Sequence, residues 1–403
     1  MRPMTRWWWL IAPLLGLAGC STLAPTDSKG EAQTRWNGVR GQIKYQMAAE
    51  SFAAGRLDKA ESQLQEAVGL DPEASEPYLL LARLRLERGE TAAAADAVEQ
   101  AVRNGGDGHE TDYFNGVIAQ RYGRFAIALE WYQRASDRAP NYAHYLAATA
   151  EMLVALDQAA EALRLVRSRW TDFEQNAQLR SLAGEIYLLL GRYEDAAIAF
   201  RSASYLTPGD RVLQYQLGTA LAMSRHYGEA RKVLAGAVGA SGPAPASALM
   251  ALSRCELALG RPAAAKTVLR RLLDQDPRHA RGWSWLARTS LQMDDLMTAR
   301  RAAKRAVELE SDHPDHALLL GYVCWRQEDY VTAITWLERV LQAKPDEPLA
   351  LCLLGQCREA LDDPEAARRC YQRALKMNPR FTWAHHLLTS GTSSDVMRLP
   401  QGG

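Results

Sequence analysis

Residues 176–210 read NAQLRSLAGEIYLLLGRYEDAAIAFRSASYLTPGD and contain two apolar runs with helical spacing. Gly191-Arg192-Tyr193-Glu194 separates the two runs, and Thr207-Pro208-Gly209-Asp210 follows the second one. Because proline and glycine are typical of helix ends, the stretch predicts a helix, a turn and a second helix. Neither helix can bury its apolar face alone, so the unit needs copies of itself on both sides.

Copies of this unit recur with a period of about 34 residues, with one inserted residue after Ala230. One position of the second helix is always alanine: Ala60, Ala94, Ala128, Ala162, Ala196, Ala230, Ala265, Ala299, Ala333 and Ala367. One position of the first helix is always small: Ala48, Ala82, Gly116, Ala150, Gly184, Gly218, Ser253, Ala287, Gly321 and Gly355. Small side chains are expected where packed helices approach closely. A fixed period over roughly 340 residues favours a repeat array over a series of unrelated amphipathic helices.

These motifs resemble the tetratricopeptide repeat family. The match is nearly complete at Leu182-Ala183-Gly184, Tyr187, Gly191, Ala196, Phe200, Ala203 and Pro208, and it recurs at Gly116, Gly123, Ala128, Tyr132, Ala135 and Pro140. The resemblance covers about ten repeats, from near residue 41 to near residue 381. It implies an all-α, right-handed superhelical solenoid of helix-turn-helix pairs, with a concave groove lined by the first helix of each pair.

Residues 1–19 have the features of a leader. Arg2 and Arg6 precede a short apolar run, and this run is too short to span a membrane. Leu17-Ala18-Gly19-Cys20 resembles the lipobox of bacterial lipoproteins, which implies cleavage before Cys20 and acylation of that residue. Several acyl chains would suffice for stable anchoring. By family analogy Ser21 favours the outer membrane, facing the periplasm; an ordinary secretory signal and a misassigned start are the alternatives.

The chain is expected to divide into five parts. They are the leader (1–19), the lipidated cysteine with a flexible tether (20–40), repeats 1 to 6 (41–244), repeats 7 to 10 (245–381), and a capping helix with a disordered tail (382–403).

Two segments interrupt the regular repeat. The unit 143–176 is either a degenerate repeat that still stacks or a local bend, and residues 236–245 are either a lengthened loop or a joint between two half-arrays.

Sequence motifs of catalysis are missing. The chain has no P-loop, no glycine-rich dinucleotide fingerprint, no HExxH and no GxSxG motif. His313 and His316 flank an inter-repeat loop without a further ligand set at zinc-like spacing. The net charge of +1 argues against a general nucleic-acid binder. We therefore expect no enzymatic activity, no cofactor and no metal site; an enzyme would need a catalytic constellation for which ten repeats leave little chain.

Cys20 is accounted for by the lipobox, and five other cysteines lie on predicted helices: Cys255, Cys324, Cys352, Cys357 and Cys370. An odd number without a CxxC motif fits small buried side chains better than a disulfide framework. Cys324 and Cys357 occupy nearly equivalent places in successive repeats. Their separation decides whether they can form a disulfide.

The resemblance to the tetratricopeptide repeat family implies a partner-binding groove along the first helix of each helix pair. It implies that the concave face includes Tyr45, Phe52, Leu79, Arg83, Tyr113, Glu151, Glu185, Tyr215, Arg254, Arg281, Arg288, Tyr322 and Trp325. Aromatic residues with arginines are typical of binding hot spots, and the order of charges suits an extended segment whose charge reverses along its length. The carboxylate-clamp variant of the family is not matched. A surface that binds nothing specific is the alternative.

The resemblance implies a membrane-anchored scaffold or adaptor of the bacterial cell envelope. It would bind protein or peptide segments and support assembly of a pilus, secretion or polysaccharide-export complex. A regulator of cell-wall synthesis enzymes is the alternative within the same class of binding proteins.

Overall fold

The computed structural model describes residues 28–239 and 242–390 of the 403-residue chain. Within these ranges it contains 21 α-helices and no strand, which confirms the all-α prediction. The described residues form two compact units, with the division between Met152 and Leu153. The predicted leader, Cys20 and the tail after residue 390 lie outside the described residues.

The helices of the first unit are α1 (Ser28–Ala53), α2 (Leu57–Leu70), α3 (Glu76–Glu87), α4 (Thr91–Arg103), α5 (His109–Arg121) and α6 (Phe125–Arg138), and α7 (Ala143–Ala155) contains the division between the units. The second unit continues with α8 (Ala159–Ser168), α9 (Ala177–Leu189), α10 (Tyr193–Leu206), α11 (Arg211–Met223), α12 (Tyr227–Gly239), α13 (Ala246–Ala258) and α14 (Pro262–Gln275). It ends with α15 (Ala280–Gln292), α16 (Leu296–Leu309), α17 (Pro314–Arg326), α18 (Tyr330–Ala343), α19 (Pro348–Ala360), α20 (Pro364–Met377) and α21 (Thr382–Ser390).

Each unit is a stack of antiparallel helix pairs. In the first unit α1 packs on α2, α3 on α4 and α5 on α6, and each pair also contacts the next one along the chain. The same pattern runs through the second unit from α9 to α20, and α21 packs on α20. The repeat predicted from the sequence is therefore the helix pair from which each stack is built. The helix at 382–390 covers the last pair with Trp383, Ala384 and Leu387, which are buried.

The turn inside each pair requires a left-handed backbone conformation at one residue. Glycine supplies it with φ near +70° at Gly55, Gly123, Gly191 and Gly260, and Gly89 has φ 79°. The equivalent position in the other five repeats is Asp157, Arg225, Asp294, Glu328 or Asp362, each with φ between 56° and 64°. Non-glycine residues rarely adopt this conformation. Its recurrence at all ten turns shows that packing of the pair outweighs local preference.

The small position of the first helix faces the core of its own pair. A Cβ atom added to Gly184 would lie 2.7 Å from the ring of Phe200, and one added to Gly116 would lie 2.5 Å from the ring of Tyr132. Both rings are fully buried. The ladder of small residues is thus explained by close approach of the two helices of a pair, as the sequence predicted.

The structure corrects one segment prediction and bears on a second. Helix α1 begins at Ser28, so the described part of the predicted tether is helical. Within it the side-chain hydroxyl of Thr34 donates a hydrogen bond to the carbonyl of Gly30, four residues earlier (3.0 Å). For residues 236–245 the sequence left open a lengthened loop or a joint between two half-arrays. The described residues of this segment belong to the second unit: residues 236–239 form the end of α12, residues 242–245 precede α13, and these two helices pack on each other. The division in the structure falls in α7, within the other interruption that the sequence shows.

The five cysteines in the described part of the chain are buried free thiols, so Cys324 and Cys357 form no disulfide. Burial raises the pKa of Cys255 to about 11 and the pKa values of Cys352 and Cys357 to about 12. Because the thiolate is the reactive form, these thiols should be inert in the folded protein.

We therefore expect native protein treated with iodoacetamide at pH 8 to remain unmodified at Cys255, Cys324, Cys352, Cys357 and Cys370. Mass spectrometry should find all five alkylated after unfolding in guanidinium chloride. Native alkylation of Cys324 or Cys357, or their recovery as a disulfide, would contradict this arrangement.

Candidate functional site

The main candidate for a binding site lies in the first unit and is called here the aromatic hollow. Its volume is about 600 Å³. It is lined by Arg83, Leu86 and Glu87 of α3, by Glu110, Tyr113, Phe114, Val117 and Arg121 of α5, and by Tyr142, His144 and Tyr145 at the start of α7. The first helices of three successive repeats therefore build it.

One wall of the aromatic hollow is a continuous group of rings. The ring centroid of Tyr113 lies 5.1 Å from that of Tyr145 and 5.2 Å from that of His144, which meets it edge-on. Tyr142 stacks on Tyr145 with a centroid distance of 5.2 Å. The Tyr145 hydroxyl and Nδ1 of His109 share a hydrogen bond of 2.7 Å. These contacts hold the rings in place before any ligand arrives, which lowers the entropic cost of binding.

Charges surround this uncharged wall. Burial, followed by Arg83 and His109, lowers the pKa of His144, so its imidazole is neutral at pH 7. Burial, followed by Glu151, raises the pKa of Tyr113. The charges at the hollow are those of Arg83, Arg121, Glu87 and Glu110. The guanidinium of Arg83 lies 5.0 Å from the ring centroid of Phe52, a cation–π contact that orients an otherwise exposed side chain.

The structure brings several predicted groove residues of the first unit together. Phe52, Arg83 and Tyr113 lie at or beside the aromatic hollow. Glu151 is exposed and close enough to Tyr113 to raise its pKa. Tyr45 is half-buried on α1, where burial and then Glu110 and Glu76 raise its pKa. Leu79 is half-buried on α3.

Two predicted groove residues of the second unit are buried instead. Tyr215 is 8% exposed, and its hydroxyl donates to the carbonyl of Ala237 (3.1 Å). Tyr322 is 4% exposed and packs against Trp325 with a centroid distance of 5.5 Å. Both rings fill the space between neighbouring helices, so Tyr322 has almost no surface for a ligand. Tyr215 keeps an edge in a separate hollow of about 490 Å³ beside Arg211 and Gln216.

The other predicted groove residues of the second unit are spread over its first helices. Glu185 is exposed and accepts a hydrogen bond from Gln216 (2.8 Å). Arg281 is exposed, while Arg254 and Trp325 are partly buried. Arg288 is also partly buried, and burial lowers the pKa of its guanidinium. Of these residues, Glu185 and Arg281 have the freest access to a partner.

Of the residues that line the aromatic hollow, the sequence predicted only Arg83 and Tyr113; those that it did not predict include Phe114, Arg121, Tyr142, His144 and Tyr145. The run Tyr142-Ala143-His144-Tyr145, two residues after the repeat-ending Pro140, was a usable signal because it places three rings within four residues.

Within residues 28–239 and 242–390, no group of three or more histidine, cysteine or carboxylate side chains could hold a metal ion. In the same ranges no helix is both long and apolar enough to cross a membrane.

Comparisons with known proteins agree with the repeat. Models of the tetratricopeptide repeat match residues 51–120, 155–211 and 221–289, and a model described as the TPR domain of cytochrome c-type biogenesis protein H matches residues 263–381. Among curated protein sequences, none matches this chain.

Several solved structures are similar to parts of the chain. PilF of Pseudomonas aeruginosa is 18% identical, with 53% of this chain and 96% of PilF covered and a TM-score of 0.46. MamA of Desulfovibrio magneticus is 22% identical, with 42% and 96% covered and a TM-score of 0.40. The Cut9–Hcn1 complex of the APC/C is 12% identical, with 91% and 95% covered and a TM-score of 0.45.

Each family match falls on helix pairs that carry the repeat motif. The chain therefore belongs to the tetratricopeptide repeat family.

Proposed function

We propose that this protein is a scaffold or adaptor that binds a segment of a partner protein in the aromatic hollow. The observation that supports this most is the preformed wall of Tyr113, Tyr142, His144 and Tyr145 beside the exposed Arg83 and Arg121. Rigid aromatic rings next to arginines are the composition of interaction hot spots. We expect the protein to have no catalytic activity of its own.

The hollow suits a short stretch of polypeptide with an apolar or aromatic side chain flanked by a carboxylate. The rings would take the apolar side chain, and the guanidinium groups would pair with the carboxylate. Glu87 and Glu110 line the same space and disfavour a segment with many acidic residues. A mixed segment is therefore the best match.

We further propose that Cys20 anchors the protein in a bacterial envelope membrane, in the outer membrane and facing the periplasm. The support is the lipobox Leu17-Ala18-Gly19-Cys20 after an apolar leader. In this location the scaffold would support assembly of a pilus, secretion or polysaccharide-export complex. The match of residues 263–381 to the TPR domain of a cytochrome c biogenesis protein makes cytochrome maturation a second candidate.

Charge reversal in the hollow should remove the partner. We expect Arg83→Glu with Arg121→Glu to reduce recovery of the main crosslinked partner from membranes by about tenfold, the equivalent of about 1.4 kcal/mol of binding free energy. The measurement is quantitative mass spectrometry after crosslinking and purification. The identity of the recovered proteins separates the candidate complexes.

The matched control is Arg103→Glu, because Arg103 is 61% exposed on α4 and outside the hollow. Tyr142→Ser should act like the arginine substitutions, while Tyr205→Ser, at an 84% exposed tyrosine of the second unit, should not. Equal partner recovery from the Arg83→Glu/Arg121→Glu and Arg103→Glu proteins would show that the hollow is not the binding site.

The anchor is tested separately by metabolic labelling with palmitate. We expect the label on the wild-type protein and none on Cys20→Ala. Palmitate labelling of the Cys20→Ala protein would contradict the proposed anchor. It would not bear on partner binding in the aromatic hollow.

A further inference from the structure

Helix α1 carries an exposed apolar stripe, formed by Trp36, Val39, Ile43 and Met47. These side chains are 59%, 54%, 52% and 41% exposed. Steps of three, four and four residues place them on one face of the helix. No other helix in the described part of the chain has four large apolar side chains this exposed at such spacing.

The stripe lies opposite the face of α1 that packs on the array. Gly41 and Ala48 are buried on that inner face, and Tyr45 and Phe52 pack against the core of the first repeats. α1 is therefore apolar on two sides. It is also the first helix in the described part of the chain, and the outer face of a terminal repeat is normally polar because water covers it. The stripe indicates that something other than water covers this face.

Basic and neutral polar side chains flank the stripe, and the exposed Glu50 follows it one turn after Met47 on the same face. Arg40, Gln42 and Gln46 are exposed along its edges. Lys44 lies on one flank and is paired with Glu66 at 2.5 Å. An apolar stripe bordered by amines, guanidinium groups and amides is the pattern of a helix that lies in the headgroup region of a membrane. Tryptophan is also enriched at that depth.

We propose that the stripe of α1 lies on the surface of a phospholipid membrane, as a second attachment beside an acyl anchor. This inference rests on the proposed anchor at Cys20. The eight residue steps from Cys20 to Ser28 can extend over at most about 28 Å, so α1 begins close to the bilayer. Trp36 lies roughly 12 Å further along the helix. The chain length therefore keeps the stripe within reach of the lipid headgroups.

A second copy of the chain fits this face less well. The stripe runs along one helix from Trp36 to Met47, a length of about 18 Å. A symmetric contact of one such stripe would fall short of the roughly 1,200 Å² that stable interfaces bury. A bilayer has no such minimum, because each apolar side chain contributes by itself.

The test uses the mature, acylated full-length protein on vesicles of phosphatidylcholine and phosphatidylglycerol. An environment-sensitive fluorophore is attached at Ile43→Cys or Val39→Cys in the stripe. The native cysteines of the array are buried and should not react. Two control positions are Gln42→Cys on the flank of α1 and Val212→Cys, which is 62% exposed on α11.

We expect vesicle binding to raise the emission at residues 39 and 43 about twofold, with quenching by lipids that carry a quencher near the headgroup. The label at Gln42→Cys should respond less, and the label at Val212→Cys should not respond. Vesicle-bound protein with unquenched label at 39 and 43 would overturn the inference while leaving the anchor intact. Self-quenching between two labelled copies would assign the stripe to a dimer and would also overturn it. Protein that fails to bind vesicles would overturn both the anchor and the inference.

Discussion

Gly184→Val is expected to lower the free energy of unfolding of the second unit by about 3 kcal/mol, the upper end of the usual cost of overpacking. The Cβ of the new side chain would start 2.7 Å from the Phe200 ring, which is fully buried between α9 and α10. The ring has no open space to move into, so the two helices must separate. Denaturant unfolding of the purified protein measures the loss.

A double-mutant cycle identifies the cause. Phe200→Ala alone should cost about 3–5 kcal/mol through the cavity that it leaves. In that background Gly184→Val should cost much less, because its methyl groups enter the cavity. The control is Gly236→Ala on α12, where an added Cβ meets nothing within 4 Å. Additive losses at positions 184 and 200 would contradict the close helix contact.

Arg138→Met is expected to destabilise the first unit by about 1–3 kcal/mol at pH 7, and the loss should shrink in acid. The carboxyl group of Asp112 on α5 is 1% exposed, and its Oδ2 lies 2.9 Å from Nη1 of Arg138 on α6. Arg134 is the second cation, 3.5 Å away. Without Arg138 the buried carboxylate loses the closer of its two positive partners.

The pH dependence follows from the direction of the pKa shift. Burial raises the pKa of Asp112, and Arg134 and Arg138 oppose this effect. Removing Arg138 raises the folded-state pKa further above the unfolded value. The variant is therefore most stable below the pKa that Asp112 has in the unfolded chain, near 4. Its free energy of unfolding falls as the pH rises through the pKa that Asp112 has in the folded protein.

Unfolding midpoints measured from pH 4.5 to 7.5 test this expectation. Asp112→Asn in the Arg138→Met background should remove the pH dependence that the single variant adds. Arg103→Met, which removes a solvent-exposed ion pair with Glu99, should change stability by less than about 0.5 kcal/mol. A pH-independent loss in Arg138→Met would show that packing of the arginine stem, and not the carboxylate, is responsible.

Most of the fold could be predicted because its signals are local and repeated. Gly184 and Phe200 lie on the two helices of one pair, so their contact depends only on the geometry of a single hairpin. The turn residues were harder to predict. Asp157, Arg225 and Glu328 adopt a positive φ that their own preferences oppose, since packing of the pair around them is stronger.

The candidate site was predicted only in part. Arg83 and Tyr113 were found because they occupy groove positions of the repeat, and Tyr322 was misplaced for the same reason. Whether a ring at a groove position is exposed depends on the size of its neighbours on the next repeat. The neighbouring side chains lie one repeat away in the sequence, and their sizes do not recur with the period of the repeat.

The linear pattern was enough to establish a stack of about ten helix pairs, its all-α class and its close internal contacts, because each repeat restates the same short-range geometry. The three-dimensional arrangement was needed to show that Tyr142, His144 and Tyr145 join Tyr113 in one wall, that Tyr215 and Tyr322 turn into the core, and that α1 leaves an apolar face uncovered. These features depend on which side chains of successive repeats meet, and packing across repeats sets them.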